Sequence, residues 1–160
     1  MPAMHHADAV VKNCALLARA ASQLEIPVVI TEQNPARLGS TLEAVRQVAG
    51  ETEPIPKILF SACTESTLEA IRATGRNTIL ICGVESHVCV LQSALDLLDA
   101  EYSVFAARDA IASRTPENCA TGWERMMRAG VLPTSTESAI FEWLVEAGTP
   151  DFKALLPYLK

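Results

Sequence analysis

A strand that runs directly into a glycine turn and a helix is the feature that most constrains the fold of this chain. Residues 78–82 are β-branched and apolar, Gly83 follows at once, and the pattern predicts a helix over 87–99. A short, fully apolar run is typical of a strand that is buried on both faces, as in a parallel sheet. The segment therefore predicts the most central strand of an α/β sheet.

Strands and helices alternate along the rest of the chain. Short apolar runs predict further strands at 26–31, 57–60, 102–107 and 131–132. Apolar spacings of three and four, with capping residues, predict helices at 7–24, 41–48, 64–74 and 116–129, from Thr134 to Gly148, and from Thr149 onward. Such alternation forms parallel βαβ units whose helices cover both faces of the sheet. We therefore predict a three-layer α/β/α fold with a mainly parallel, Rossmann-like sheet.

The length of the chain is suited to one domain. At 160 residues, folding buries roughly two thirds of the surface of the unfolded chain, so a hydrophobic core can form. No internal repeat, low-complexity tract or linker divides the sequence. We expect a single domain over residues 1–160.

Charge and cysteine content narrow the classes of function. Thirteen basic residues against nineteen acidic ones give a net charge of -6, and no lysine or arginine cluster is present that could follow a phosphate backbone. No apolar run approaches the roughly 20 residues of a membrane-spanning helix. The five cysteines form no C-x-x-C pair and favour reduced thiols. We expect a soluble, cytoplasmic protein with no nucleic-acid or membrane partner.

Cys89 is the first candidate for chemistry. Ligands of parallel sheets bind outside the carboxyl ends of the strands, which is where the Gly83 turn is predicted. With Ser86 as the N-cap, Cys89 would lie in the first helical turn, where free N–H groups and the helix dipole favour a thiolate and could also hold an oxyanion. The alternative is that Cys89 is a small buried hydrophobe, as most free cysteines are.

Lys57 is the second candidate. It follows two prolines and begins an apolar run, a position where a surface lysine has little reason to be. A lysine beside a thiolate would stabilise it. The alternative is a solvated lysine at the start of a strand, with its stem packed along the edge of the sheet.

Together these residues resemble the isochorismatase-like cysteine hydrolase family, over nearly the whole chain. The segment 83–89 (GVESHVC) resembles the nucleophile turn of the family, and Lys57, before 58–61 (ILFS), matches its catalytic lysine. Three further segments resemble the subgroup of isochorismatase domain-containing proteins: 31–35 (TEQNP), 113–118 (SRTPEN) and 141–144 (FEWL).

The resemblance implies a mechanism. Cys89 would attack an amide or similar carbonyl carbon, Lys57 would assist the thiolate, and water would hydrolyse the acyl-enzyme. The N–H groups of Glu85 and Cys89 would bind the oxyanion. A cis peptide precedes the nucleophile helix in the family, and by position it would join Val84 to Glu85 and shape the oxyanion hole, so the resemblance implies Val84 and Glu85 as oxyanion-site or substrate-binding residues.

One part of the family pattern does not match. The third catalytic residue of the family is an aspartate at the end of an opening central strand, whereas this sequence begins MPAMHH and reads like a relative in which that strand is absent. We therefore expect a gap in the sheet between the strands at 26–31 and 78–82. Glu32 or Glu85 could replace the aspartate, although glutamates are more often solvated.

The sequence offers no recognisable site for a metal or cofactor. Nicotinamidases of the family hold a metal ion with an aspartate and two histidines, but His5, His6 and His87 do not form such a ligand set. No G-x-G-x-x-G follows a strand, so nothing indicates a nucleotide. We predict neither a metal nor a cofactor.

Two functions remain open. The first is a metal-free cysteine hydrolase that acts on a small amide-like or related C–N substrate, with Cys89 and Lys57 as catalytic residues. The second is a catalytically silent scaffold that acts through self-assembly or protein partners, which the absent aspartate supports. Family members commonly form homo-oligomers, and the apolar stretches 141–143 and 155–158 could bury against a second copy or equally well within the core.

Overall fold

Two parallel sheets organise the computed structural model of this protein, which describes residues 4–159. The first sheet pairs β1 (Thr31–Gln33) with β2 (Ile55–Lys57). The second has the order β3-β4-β5, formed by Thr78–Val84, Ser103–Ala112 and Leu132–Thr134. All strand pairs are parallel, which confirms the predicted α/β class.

Helices cover both faces of the second sheet. Their bounds are α1 Ala7–Gln23, α2 Pro35–Leu38, α3 Glu43–Arg46, α4 Glu65–Ala73, α5 Leu91–Asp99, α6 Pro116–Ala129, α7 Thr136–Leu144 and α8 Pro150–Leu155, with a π-helical turn at Ser86–Val90 and a 3₁₀ turn at Leu156–Tyr158. Ile79 and Ile81 of β3 pack with α4, α5 and α6, whereas Leu80 and Cys82 pack with α1, α7 and α8. Successive side chains of β3 thus point alternately to two helical layers, one on each face of the sheet. The three-layer α/β/α fold is therefore confirmed.

Local capping explains why α6 begins and ends where the sequence predicts. The Thr115 side chain accepts a hydrogen bond from the Asn118 N–H, and Pro116 occupies the first helical position. Gly130 ends the helix with a φ of +104°, a conformation that glycine adopts without steric cost. None of the helices within residues 4–159 is long and apolar enough to cross a bilayer.

Two of the predicted strands are wrong over most of their length. The predicted strand at 26–31 is a regular strand only from Thr31. Of the residues before it, only Ile30 pairs with β2, through its carbonyl, which accepts a hydrogen bond from Ile55 N at 2.8 Å. The predicted strand at 57–60 ends at Lys57. The three residues that follow are 72%, 64% and 56% exposed, so their apolar side chains do not belong to the core.

The prediction that 78–82 forms the most central strand is also wrong. Within the described residues β3 pairs with β4 alone, and β4 lies in the middle of the three strands. β1 and β3 are not paired with each other, in agreement with the predicted gap between them. Apart from the exposed Thr78, the residues of β3 are accordingly half-buried although both of its faces are covered.

Two helices differ from their predicted bounds. Helix α7 is capped by Ser135, which accepts from Ser138 N, and not by Thr134. It ends at Leu144 rather than at Gly148, because the following residue has a φ of +60°. The predicted helix at 41–48 is reduced to the short α3.

Candidate active site

Lys57 lies at the end of β2 with its ammonium group turned into the protein. The residue is only 6% exposed. Its Nζ donates to Gln33 Oε1 at 2.6 Å, to the Leu59 carbonyl at 3.0 Å and to the Phe60 carbonyl at 2.8 Å. The prediction that Lys57 begins a strand is therefore wrong, and the alternative of a solvated lysine does not apply.

These three bonds decide what the ammonium can do. An ammonium has three N–H donors, and Gln33, Leu59 and Phe60 engage all of them. Burial lowers the pKa of Lys57, and the negative charge of a Cys89 thiolate opposes this by favouring the charged form. Lys57 therefore lies close enough to Cys89 for the charges of the two groups to interact.

Hydrogen bonds to the main chain explain why the apolar side chains of residues 58–60, which follow β2, face outward. Lys57 binds the carbonyls of Leu59 and Phe60, and Gln33 Nε2 donates to the Ile58 carbonyl at 2.7 Å. Because these three backbone carbonyls point toward the site, the side chains of the same residues point to solvent. This segment encloses the ammonium with its main chain.

Cys89 lies in the π-helical turn between β3 and α5, and its side chain is half-buried. The peptide bond between Val84 and Glu85 is cis, as expected from the resemblance. Val84 ends β3 and Glu85 precedes the helical turn, where its carbonyl accepts from both Val88 N and Val90 N at 3.1 Å. The two predicted oxyanion-site residues therefore adjoin the turn that carries Cys89.

Ser86 does not cap this turn, contrary to the prediction. It is fully buried, and its hydroxyl donates to the Cys119 carbonyl of α6 at 3.1 Å. At Gly122, also in α6, an added Cβ would come within 2.6 Å of Ser86 Oγ and His87 N. Helix α6 therefore packs directly on the backbone of the turn and holds it in place.

The segment between β4 and α6 holds the other side of the turn. Arg114 Nε lies 2.9 Å from Glu85 Oε2, and the Arg114 backbone N–H lies 3.3 Å from the same oxygen. His87 Nδ1 lies 3.0 Å from the hydroxyl of Ser113, which is fully buried. Glu85 and His87 thus position the turn, and the carboxylate of Glu85 is occupied by an ion pair.

The carboxylate of Glu32, like that of Glu85, has its own hydrogen-bond partner and does not contact Lys57. Its Oε1 accepts from the Thr41 backbone N–H at 2.6 Å, and this hydrogen bond lowers the pKa of the carboxyl. Lys57 contacts neither Glu32 nor Glu85, because its partners are an amide and two carbonyls. Glu32 anchors the loop that follows β1.

Two polar residues of the site escaped sequence reasoning. Gln33 binds the Lys57 ammonium, and the register that pairs these two residues across β1 and β2 is visible only in the fold. Ser93 donates to the Cys89 carbonyl at 2.6 Å. Its position four residues after Cys89 on a predicted helix was the one available signal.

Across residues 4–159, no group of three or more His, Cys, Asp and Glu side chains is arranged to hold a metal.

Comparisons with known proteins indicate one family. The isochorismatase domain matches residues 1–138. The "Secreted isochorismatase effector Isc1" of Phytophthora sojae is 36% identical over 156 residues, which are 94% of this chain and 74% of that protein. The structure of a MAR1 ribonuclease from Caenorhabditis elegans has a TM-score of 0.93 and 28% identity, covering 99% of this chain and 82% of that one. YcaC from Escherichia coli, described as an octameric hydrolase of unknown specificity, shares the fold (TM-score 0.79, 21% identity, 95% and 82% covered).

Proposed function

Because this chain belongs to the isochorismatase domain family, we propose that it is a cysteine hydrolase that cleaves a small amide-like or related C–N substrate. Cys89 is the nucleophile and Lys57 is the residue that stabilises its thiolate. One observation carries this proposal: the buried ammonium of Lys57 is hydrogen-bonded only to neutral oxygens, so no carboxylate among its partners neutralises the charge that would stabilise a Cys89 thiolate.

The proposed reaction divides hydrolysis into two steps. The thiolate of Cys89 forms a C–S bond to the carbonyl carbon, and the N–H groups of Glu85 and Cys89 hold the oxyanion. As the intermediate collapses, the C–N bond breaks and the leaving nitrogen takes a proton from water in the half-exposed site. A second water then adds to the thioester, releasing the acid and the thiol. These steps use only the thiol, the ammonium and main-chain donors, so they require no metal or cofactor.

A small molecule suits this chain better than RNA, although one structural neighbour is named as a ribonuclease. Binding to a nucleic acid depends on neutralising phosphates with lysine and arginine. This chain carries a net charge of -6, and the ammonium of Lys57 is buried and fully hydrogen-bonded. Cleavage of RNA by the purified protein that is abolished by Cys89→Ala would contradict the proposed substrate class.

The cysteines bear on where the protein acts. All five, Cys14, Cys63, Cys82, Cys89 and Cys119, are free thiols in the structure. Free thiols persist in compartments that keep cysteine reduced. We therefore propose that the protein acts in the cytoplasm.

The second proposal is that copies of this chain assemble into a homo-oligomer. Such assembly is compatible with an active hydrolase and with a catalytically silent scaffold protein. Phe141 and Tyr158 are 43% and 46% exposed, and Val145 is 89% exposed, whereas Leu155 lies in the core. Exposed apolar residues on neighbouring helices favour contact with another copy. The octameric state of YcaC gives a precedent within the fold. Light scattering of the purified chain tests this directly, since a monomer at all concentrations would exclude it.

The acyl-enzyme provides the test of the hydrolase proposal. The protein is incubated with p-nitrophenyl acetate, and intact-mass spectrometry with peptide mapping locates the acetyl group. We expect acetylation of Cys89 that turns over with time, that is lost in Cys89→Ala and that persists in the control Cys14→Ser. Acetylation spread over several cysteines, or absent from Cys89, would refute the nucleophile and leave the scaffold.

A further inference from the structure

Ser93 is a buried serine whose hydroxyl makes two hydrogen bonds. The residue is 2% exposed on α5. Its Oγ donates to the Cys89 carbonyl at 2.6 Å and accepts from the Ala62 backbone N–H at 2.7 Å. One oxygen therefore joins the turn that carries the sulfur to the segment that follows β2.

The segment that Ser93 holds is the one that encloses the ammonium. Leu59 and Phe60, which accept from Lys57, precede Ala62 by three and two residues. Ser93 thus lies at the junction between the two halves of the site: through Cys89 it holds the nucleophile turn, and through Ala62 it holds the carbonyls that fix Lys57 Nζ.

The first of these bonds is common and carries no inference alone. Serine in a helix often donates to the carbonyl four residues earlier. The second bond is different, because its donor lies 31 residues away on another segment. Cys63 of the same segment adds a weak contact to α5, since its Sγ lies 3.6 Å from the Ser93 carbonyl.

We infer that Ser93 is a positioning residue that fixes the Lys57 ammonium relative to the Cys89 sulfur. It touches neither reacting group with its side chain, so it acts through the backbone on each side. The inference rests on the proposed function, because it assumes that the charge of Lys57 activates Cys89. Loss of the hydroxyl releases the Lys57 segment from α5, and the charge then no longer lies in its activating position.

A double-mutant cycle separates this role from general loosening of the turn. The rate of Cys89 alkylation by iodoacetamide at neutral pH is measured for the full chain and for Ser93→Ala, Lys57→Met and the double variant. We expect Lys57→Met and Ser93→Ala each to slow alkylation roughly tenfold, since a neighbouring opposite charge changes thiolate formation by at least that much. In the Lys57→Met background, Ser93→Ala should then add less than about twofold, because residues acting through one another are not additive.

Two further variants keep the result interpretable. Ser93→Thr retains a hydroxyl that can reach the carbonyl four residues earlier, so it should restore most of the rate. Thr136→Val removes another buried hydroxyl, which donates to Asp109 Oδ1 at 3.0 Å on the other face of the sheet, and should leave the rate unchanged. Thermal melting shows that each variant is folded before its rate is compared.

The outcomes distinguish the inference from the function on which it rests. If Lys57→Met leaves alkylation unchanged, the proposed activation of Cys89 by Lys57 fails, and with it the role of Ser93. If Lys57→Met slows alkylation but Ser93→Ala slows it equally in both backgrounds, or not at all, only the role of Ser93 is overturned.

Discussion

Gln33 and Lys57 occupy paired positions on two parallel strands, and Gln33 Oε1 accepts a hydrogen bond of 2.6 Å from Lys57 Nζ. The same amide donates through Nε2 to the Ile58 carbonyl. A single side chain therefore holds both the ammonium and the segment that encloses it. This pairing fixes the position of the Lys57 ammonium.

The substitution Gln33→Leu should destabilise the protein. It leaves a buried ammonium with an unsatisfied donor, which costs about 1–3 kcal/mol in the free energy of unfolding. Urea denaturation measures this loss. The control Gln47→Leu removes an exposed hydrogen bond to Glu43 and should change stability by less than about 0.5 kcal/mol. Equal effects of the two substitutions would show that the Gln33 bond does not hold the ammonium.

The substitution Gly122→Ala tests the close packing of α6 on the nucleophile turn. In an exposed helix this change stabilises by up to about 1 kcal/mol. Here the new Cβ would lie 2.6 Å from backbone atoms of Ser86 and His87, so we expect destabilisation of about 1–3 kcal/mol and slower alkylation of Cys89.

The control for this prediction lies on the same helix. Ala120 is exposed, and Ala120→Gly should cost about 1 kcal/mol through helix propensity alone. It should leave Cys89 alkylation unchanged. A Gly122→Ala variant as stable and as reactive as the parent would mean that the helix does not hold the turn.

Glu32 provides a prediction about pH. Its hydrogen bond from Thr41 lowers the pKa of the carboxyl below its ordinary value of 4.5, so the unfolded chain binds the proton more tightly than the folded one. The stabilisation is therefore complete above pH 4.5 and is lost as the pH falls through the lower, folded pKa. Glu32→Gln should be less stable than the parent near neutral pH, and the difference should vanish in acid.

Denaturation curves over this pH range give the measurement. The exposed Glu142 on α7 serves as the control, since Glu142→Gln should show no such convergence with the parent. A stability difference for Glu32→Gln that stays constant with pH would contradict the role assigned to its hydrogen bond.

Cys14 should be inert toward alkylation in the native protein. The neighbouring Cys82 thiol, burial and nearby negative charge all raise the pKa of Cys14 well above its ordinary range, and its Sγ lies 3.4 Å from the Ala110 carbonyl, to which it donates. The thiolate is the nucleophilic form, so little of it is present at neutral pH. Peptide mapping after iodoacetamide treatment should find Cys14 unmodified until the protein is unfolded. Rapid labelling of native Cys14 would contradict the raised pKa of its thiol.

The sequence could predict the parts of the fold that local chemistry controls. Helix α6 has its N-cap, its proline and its terminal glycine within the segment itself, so its predicted bounds agree with the structure. Resemblance to a family placed the cis bond between Val84 and Glu85. It also matched Cys89 and Lys57, already candidates from their positions, to the catalytic residues of the family.

Contacts between distant segments were beyond the sequence. The apolar residues 58–60 read as a buried strand, but Lys57 and Gln33 draw their carbonyls inward and turn their side chains outward. Ser86 has the residue type of an N-cap, yet a carbonyl of α6 takes its hydroxyl. The roles of Gln33 and Ser93 depend on partners 24 and 31 residues away, which no local pattern specifies.

Competitive alkylation of the native protein tests the central claim most directly. A limiting amount of iodoacetamide is added at neutral pH, and peptide mapping measures the relative rates of the five cysteines, with Lys57→Met as the comparison. The account predicts that Cys89 is labelled well ahead of Cys14, Cys63, Cys82 and Cys119, and that Lys57→Met removes this preference. Labelling of Cys89 no faster than of the others, or a preference unchanged in Lys57→Met, would contradict it.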